Sequence, residues 1–461
     1  MKILLSHGYF LNEDPKELKI MRPYPPLGIL SISAFLETHG FENHVYDTTF
    51  SNYGAWKNYV KIQKPEILGL YTNLMTKIRI IEMIKWIKLV LPETCIVLGG
   101  PDTTYNTERY LLTGADFIVI GEGELTVLEL VQSLTGNVSQ KPDNIAGIAW
   151  LDSTGLLQRT MGRAKLKDIS QLPIPNRKSI DLNLYLKSWQ RHHGQASISV
   201  STQRGCPYTC KWCSTAVYGQ SYRRRSAQHV VIELQSLVDD YGINQFWFVD
   251  DVFTISHKWL TSFEEELVDS GLTIRFECIS RADRLNEDVI KQLKRLGCFR
   301  VWIGAESGSQ NVIDLMDRRV DVQYVSEMIH LTKKNEMEAG TFIMLGYPGE
   351  TEADIRETIN YLKSAHPDQF TITVAYPIQG TSLHSQVVDI PLDQQAWETQ
   401  TDREQDFPRT FRRRYYDHAV RYVVNQVEAH RISSSLSYQW WWLQLKSILA
   451  LAGMQWQKIR R

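Results

Sequence analysis

The run Arg204-Gly-Cys-Pro-Tyr-Thr-Cys-Lys-Trp-Cys213 decides how the chain is read. It sets Cys206, Cys210 and Cys213 in C-x3-C-x2-C spacing on one loop, and these are half of the six cysteines. Three thiolates so close in sequence can converge on one iron–sulfur cube. A full cluster normally takes four cysteines, and no fourth lies nearby, so one iron is left to bind something else. The competing reading is structural zinc with Cys278 or Cys298 as fourth ligand. Zinc sites usually pair two C-x2-C halves, and no matching half is present. Cys95, Cys278 and Cys298 lie in or beside apolar strands or helices and read as small buried hydrophobes.

Just before the loop comes a strand pattern, Ser197–Thr202. Five more follow, at Gln245–Asp250, Ile274–Ser280, Phe299–Gly304, Gly340–Leu345 and Gln369–Ala375. Helical patterns separate them, clearest at Ala227–Tyr241, Asn286–Leu296 and Thr351–Ser364. Asn286 is a natural N-cap, because its side-chain oxygen can accept a free backbone N–H. Six strand–helix units predict a partial (β/α)6 barrel, with chemistry at the C-terminal strand ends. Polar groups stand there: the cysteine loop, Asp250 and Asp251, Arg281 and Asp283, Glu306 with Ser307 and Gly308, Gly346-Tyr-Pro-Gly-Glu350, and Tyr376-Pro-Ile-Gln-Gly380. Loops are polar by default, so no single one of these decides the matter.

Upstream, residues 1–135 alternate strand patterns with helical ones such as Gly28–Thr38 and Lys77–Val90. The strand candidates are Lys2–Ser6, Asn43–Asp47, Glu66–Tyr71, Cys95–Gly99 and Phe117–Ile120. This alternation predicts an α/β, doubly wound, Rossmann-like (flavodoxin-like) parallel sheet. Ligands of such sheets sit beyond the carboxyl ends of the strands. The loops there are Pro23-Tyr-Pro-Pro-Leu-Gly28, Tyr71-Thr-Asn-Leu74, Gly99-Gly-Pro-Asp102 and Gly121-Glu-Gly-Glu124. Glycine lets a backbone approach a ligand closely, although any one of these loops could simply close a turn. Four together favour a ligand crevice. No GxGxxG follows the first strand, which disfavours a nicotinamide or flavin dinucleotide. Residues 136–195 read as a linker. It carries a hairpin of Ile145–Leu151 and Leu156–Thr160 around Asp152-Ser-Thr-Gly155, then an extended connector, Ile169–Arg177.

The barrel is expected over 196–385, and a helical cap over 386–461. In the cap, Arg412-Arg-Arg-Tyr-Tyr416 opens a long helical pattern, followed by Tyr438-Gln-Trp-Trp-Trp442 and a basic end, Lys458–Arg461. Aromatic packing against the barrel is the favoured use of this segment. A lid over a large hydrophobic substrate comes second and a membrane-surface helix third. Arg223-Arg-Arg225 could pair with ligand phosphates or carboxylates, or be a solvated surface run. The formal net charge of −1 gives no global field to recruit nucleic acid. No stretch reaches the ~20 apolar residues of a membrane span, and the start, MKILLSHGYF, lacks a secretory pattern. A cytoplasmic location is expected, with no nucleic-acid partner and no membrane contact.

These residues resemble the radical S-adenosylmethionine superfamily, and within it the cobalamin-dependent (B12-binding) branch. The resemblance rests on Cys206-x3-Cys210-x-Trp212-Cys213, Asp250-Asp251-x-Phe253, Gly304-Ala-Glu-Ser-Gly308 and Gly346-Tyr-Pro-Gly-Glu-Thr351, together with the N-terminal Pro-Pro-Leu-Gly, Gly-Gly-Pro and Gly-Glu-Gly-Glu loops. It covers roughly residues 1–385. It implies a [4Fe–4S] cluster on Cys206, Cys210 and Cys213, whose open iron chelates S-adenosylmethionine. That ligand would be positioned by Trp212, Asp250, Arg281, Glu306, Ser307 and Gly346. It implies cobalamin against Pro25, Leu27, Thr72, Asn73, Gly99, Gly100, Pro101, Gly121, Glu122 and Gly123. The D-x-H-x-x-G motif of many cobalamin enzymes is missing, which leaves the lower cobalt face open or met by another group. Asp102 stands where relatives often have histidine.

The implied activity is methyl transfer to an unactivated carbon of a small molecule, with a reductant such as flavodoxin or ferredoxin. The alternative is a radical cyclase or rearrangement enzyme resembling the anaerobic magnesium-protoporphyrin monomethyl ester cyclase. A non-catalytic iron–sulfur or cobalamin protein would not need the array of positioning groups. A methylthiotransferase would carry a second three-cysteine cluster upstream, where this chain has only Cys95.

Overall fold

The structure, a computed structural model, describes residues 1–136, 142–213, 219–388, 392–401, 406–432 and 437–459. Short runs of buried apolar residues make the first sheet: β1 Ile3–His7, β2 Asn43–Tyr46, β3 Ile67–Tyr71, β4 Cys95–Gly99 and β5 Phe117–Val119. These five are parallel in the order β2-β1-β3-β4-β5, which is the flavodoxin-like winding. The near-continuous apolar strands follow from burial on both faces. One face packs Leu4, Leu68 and Leu98 against the helix Lys77–Val90. The other packs Ile3, Leu5 and Val97 towards the helices Leu27–Thr38 and Glu124–Leu134.

The sheet does not stop at residue 135. The hairpin β6 Ile148–Leu151 and β7 Leu157–Arg159 adds to its edge antiparallel to β5, so the first part of the expected linker completes this sheet. The rest of that segment is not simply extended. It holds short 3-10 turns at Ile169–Gln171 and Arg177–Ser179. It also holds a helix missed in the sequence, Leu182–His193, whose Leu182, Tyr185 and Leu186 join the core of the second sheet.

The second sheet begins with β8 Ile198–Val200. A small ribbon, β9 Gln203–Arg204 with β10 Arg223–Arg224, brackets the cysteine loop. Then come β11 Gln245–Phe248, β12 Arg275–Ser280, β13 Cys298–Glu306, β14 Glu338–Leu345 and β15 Gln369–Val374. Six strands run parallel in the order β15-β14-β13-β12-β11-β8, which is the expected partial barrel. Helices between them start on caps legible in sequence. Asn286 accepts from the Val289 N–H, and Thr351 forms a capping box with Asp354. Cys278 and Cys298 are buried in adjacent strands of this core, as small hydrophobes are. Cys95 is half-buried at a strand start.

The segment after β15 divides between the two sheets. The helix Gln394–Thr399 turns back to the first sheet, where Trp397 is buried edge-on against Tyr110 at 4.9 Å. Two antiparallel helices, Arg413–Arg431 and Tyr438–Ile459, cover the barrel at the helix Glu352–Ala365.

Candidate functional site

The carboxyl ends of the barrel strands converge on the cysteine loop. Cys206 is buried, Cys210 half-buried and Cys213 exposed. Hydrogen bonds hold the loop on both flanks: the Lys211 N–H donates to the Met316 carbonyl at 3.2 Å, and the Leu383 N–H to the Lys211 carbonyl at 2.9 Å. Burial pushes the Cys206 thiol up, with Asp251 and Cys210 adding to the effect. Burial raises the Cys213 thiol as well, with Asp251 adding to it, so these two thiols need cations nearby to ionise. Two stand at Cys210, whose sulfur lies 3.7 Å from Arg281 Nη1 and 3.8 Å from Arg318 Nη1. Three soft sulfurs beside two guanidiniums fit an anionic thiolate-bound cluster.

Arg281 is fixed before any ligand arrives. Its guanidinium donates to Asp283 at 2.8 and 3.2 Å and to the Arg318 carbonyl at 3.0 Å, and it lies 3.9 Å over the Tyr208 ring. Glu306 ends β13 with a φ of 68°, at a register shift between Gly304 and Glu306. A left-handed non-glycine residue at a strand end is a costly placement of the kind that clusters at ligand sites. Burial raises its carboxyl pKa, against the pull of Arg318 and then Arg281. Arg318 Nη2 stands 3.6 Å from it. Trp212 is half-buried, with Arg318 5.6 Å from its ring. Arg318 was missed in the sequence because it follows a helix, not a strand. Its only signal was the Asp317-Arg-Arg319 run.

The remaining barrel candidates have their hydrogen bonds within the protein. Asp250, buried at the end of β11, accepts from the Thr202 and Gln203 N–H groups at 2.7 and 3.1 Å and from the Thr202 hydroxyl. It thereby anchors the chain entering the cysteine loop. Ser307 is fully buried and bonds Thr358 at 3.2 Å. Gly346 has a φ of 82°, and its N–H donates to Glu350 at 2.6 Å. A Cβ at Gly346 would come within 3.2 Å of Arg409 and 3.3 Å of Tyr416, so the cap covers it.

In the first domain, Leu27, Gly99, Gly100, Gly121, Glu122 and Gly123 line one cavity of about 200 Å³, which continues to Gln203 and Arg204 of the barrel. Asn73 and Pro101 line a second, of about 500 Å³, closed on the barrel side by Tyr376 and Gln379. Thr72 and Pro25 are buried and line neither. Gly100 has a φ of 122°, and a Cβ there would lie 2.1 Å from the Thr72 carbonyl oxygen. Gly121 faces open space. An apolar cavity with a glycine rim at the strand ends is what a large flat ligand with a side arm needs.

The arginines of the cluster ribbon join the two halves. Arg204 pairs with Glu124 and stands 3.6 Å from Glu122, and Arg223 pairs with Glu122. Arg223 also donates to the Leu166 carbonyl at 2.9 Å. Arg224 lies 3.5 Å over the Trp259 ring and donates to the Phe253 carbonyl at 2.6 Å. Arg225 pairs with the buried Glu233. The triple-arginine run is therefore neither a solvated face nor a free anion site, because each guanidinium is engaged inside the protein.

Two family models match these halves: the B12 binding domain over residues 18–131 and the Radical SAM superfamily over 200–362. Together they span more than half the chain. It is a B12-binding radical SAM enzyme. The cofactors of that family are a [4Fe–4S] cluster, S-adenosylmethionine and cobalamin, and both the sulfur donors and the glycine-rimmed cavity fit them. Among its relatives is an uncharacterized methyltransferase of Pyrococcus horikoshii, 29% identical over 78% of this chain and 77% of that one. Another is the anaerobic magnesium-protoporphyrin IX monomethyl ester cyclase of Cereibacter sphaeroides, 24% identical over 84% of this chain and 64% of that one. In fold, this B12-binding radical SAM enzyme is similar to the radical S-adenosylmethionine methyltransferase TsrM from Kitasatospora setae. Their TM-score is 0.68 at 17% identity, covering 83% of this chain and 76% of that one. It is also similar to the cobalamin-dependent S-adenosylmethionine radical enzyme OxsB, with a TM-score of 0.74 at 14% identity, over 97% of this chain and 72% of that one.

Proposed function

We propose that this enzyme transfers a methyl group to an unactivated carbon of a small molecule. The observation that carries the reading is the lock between the two ligand spaces: Glu122 and Glu124, on the cavity rim, grip Arg204 and Arg223, beside Cys206. When bound, the cofactors supply a 5′-deoxyadenosyl radical on the barrel side and a transferable methyl group on the first-domain side.

The chain's own residues orient and enclose. Cys206, Cys210 and Cys213 hold the cluster, with Arg281 and Arg318 offsetting thiolate charge. Glu306 and Arg318 present opposite charges at the mouth, which suits the amino-acid end of S-adenosylmethionine. Asp250 and Ser307 act as positioning residues for the loop and for the end of β13. Trp212 and Gly346 shape the wall. Leu27, Gly99, Gly100, Gly121 and Gly123 cradle cobalamin, with Asn73 and Pro101 on the side of the second cavity. Tyr376 and Gln379 close that cavity, the space left for the substrate. A one-electron donor such as flavodoxin or ferredoxin completes the scheme.

The test is anaerobic reconstitution with cluster and cobalamin, followed by product analysis on candidate substrates. S-adenosylhomocysteine released together with 5′-deoxyadenosine is the expected result. Deoxyadenosine without S-adenosylhomocysteine, alongside a ring-closed product, would replace methyl transfer by the cyclase reading.

A further inference from the structure

We infer that the outward face of the C-terminal helix Tyr438–Ile459 is a docking surface for an anionic lipid bilayer, on which the enzyme sits without crossing it. The helix faces the opposite way from an ordinary surface helix. Its inward side offers Ser447, Ala450 and Met454, which are buried. At Gly453 a Cβ would come within 2.4 Å of the His418 imidazole, which would have to move. The outward side carries Trp441, Leu445, Ile448, Leu449, Trp456 and Ile459, between 47% and 78% exposed. Rotating the helix to hide them would drive large side chains into the places now held by Ser447, Ala450 and Gly453. The stripe follows helical spacing from Trp441 to Ile459, about 27 Å along the helix. Contiguous apolar patches on that scale mark interaction sites.

Three features select a lipid surface over another protein. Tryptophan, the aromatic of membrane–water interfaces, recurs along the stripe. The helix carries two lysines and no carboxylate, and Arg412–Ile459 holds seven lysines and arginines against two carboxylates, in a chain whose net charge is −1. Lys458 pairs with Glu352, Arg413 with Asp417 and Arg431 with Glu428, while Arg412, Arg414, Arg421 and Lys446 remain exposed. That local basic field attracts anionic headgroups and opposes the same face of a second copy. Among the described residues, no helix is long and apolar enough to cross a membrane. The geometry is therefore that of a helix lying in the interface plane. From sequence, membrane contact comes third, behind packing against the barrel and a lid. The orientation of the helix reverses that order.

The experiment is co-sedimentation of the full-length enzyme with vesicles of phosphatidylcholine alone or enriched in phosphatidylglycerol. Binding to the anionic vesicles is expected to be about tenfold tighter or more, and to weaken with added salt. Ile448→Glu with Leu449→Glu should lower it at least tenfold while the melting temperature stays unchanged. Should that pair disturb folding, Trp441→Glu gives the same comparison two turns earlier. Three outcomes would overturn the inference: wild type left in the supernatant, equal binding by the variants, or a lipid-free dimer that the same substitutions dissolve. None of these readouts depends on methyl transfer.

Discussion

At Cys210, one sulfur faces two guanidiniums, which puts positive charge beside the place where an anionic cluster would sit. Cys210→Ala removes one corner of the donor set. Reconstituted protein should lose the cluster's visible absorbance and its cleavage of S-adenosylmethionine, and retained turnover would refute the assignment. Glu350, one turn beyond Gly346, makes a different kind of prediction. It is fully buried, and burial lifts its carboxyl from 4.5 to about 8, against the hydrogen bond from the Gly346 N–H. The folded chain thus keeps a proton that the unfolded chain releases between those two values. Stability falls as pH rises through that window, by up to about 1.4 kcal/mol per pH unit, and levels off above it. Glu350→Gln should flatten this slope. Urea denaturation of both proteins across the window measures the difference, and parallel slopes would show that Glu350 is charged in the fold.

At the scale of elements, the ribbon β9–β10 is where chain segments that are polar in sequence become a buried joint. Arg204→Ala would leave Glu124 and Glu122 facing each other with only Arg223 between them. Removing one partner of a largely buried pair costs about 3 kcal/mol. A double-mutant cycle with Glu124→Ala should return a coupling above about 1 kcal/mol. The single substitutions should also weaken cobalamin uptake, since Glu122 and Glu124 line the cavity. Additive effects would reduce the joint to a surface contact. A barrel places its C-terminal strand ends on one side, which is why sequence reading starts from them. What sequence patterning could not tell was which strand-end groups are free. Asp250 and Ser307 look like ligand contacts in the one-dimensional pattern, yet their hydrogen bonds run to Thr202, Gln203 and Thr358. Arg318 was invisible to the same rule.

Across the whole molecule, the two sheets are fastened at several points. Tyr185 donates to Asp47 at 2.6 Å, the Trp189 indole donates to the Pro23 carbonyl at 2.8 Å, and Arg204 pairs with Glu124. The chain after β15 crosses back to bury Trp397 in the first core before capping the barrel. Cofactor domains tied in this way should unfold as one cooperative unit. Calorimetry of the apoprotein is expected to give a single transition, and two resolved transitions would show that the halves are independent.

The strand–helix rhythm of both sheets, the cysteine loop behind a strand and the glycine-rimmed loops can all be read along the chain. Each of these is a local signal: a periodicity, a cap or a spacing within a few residues. Which charges are internal ties, how the hairpin at 148–159 completes the first sheet and which way the C-terminal tryptophans face emerge once the chain is packed. Those outcomes depend on partners far apart in the chain. A buried arginine and a solvated one have the same neighbours in sequence, and a helix face declares its side only against what it packs upon.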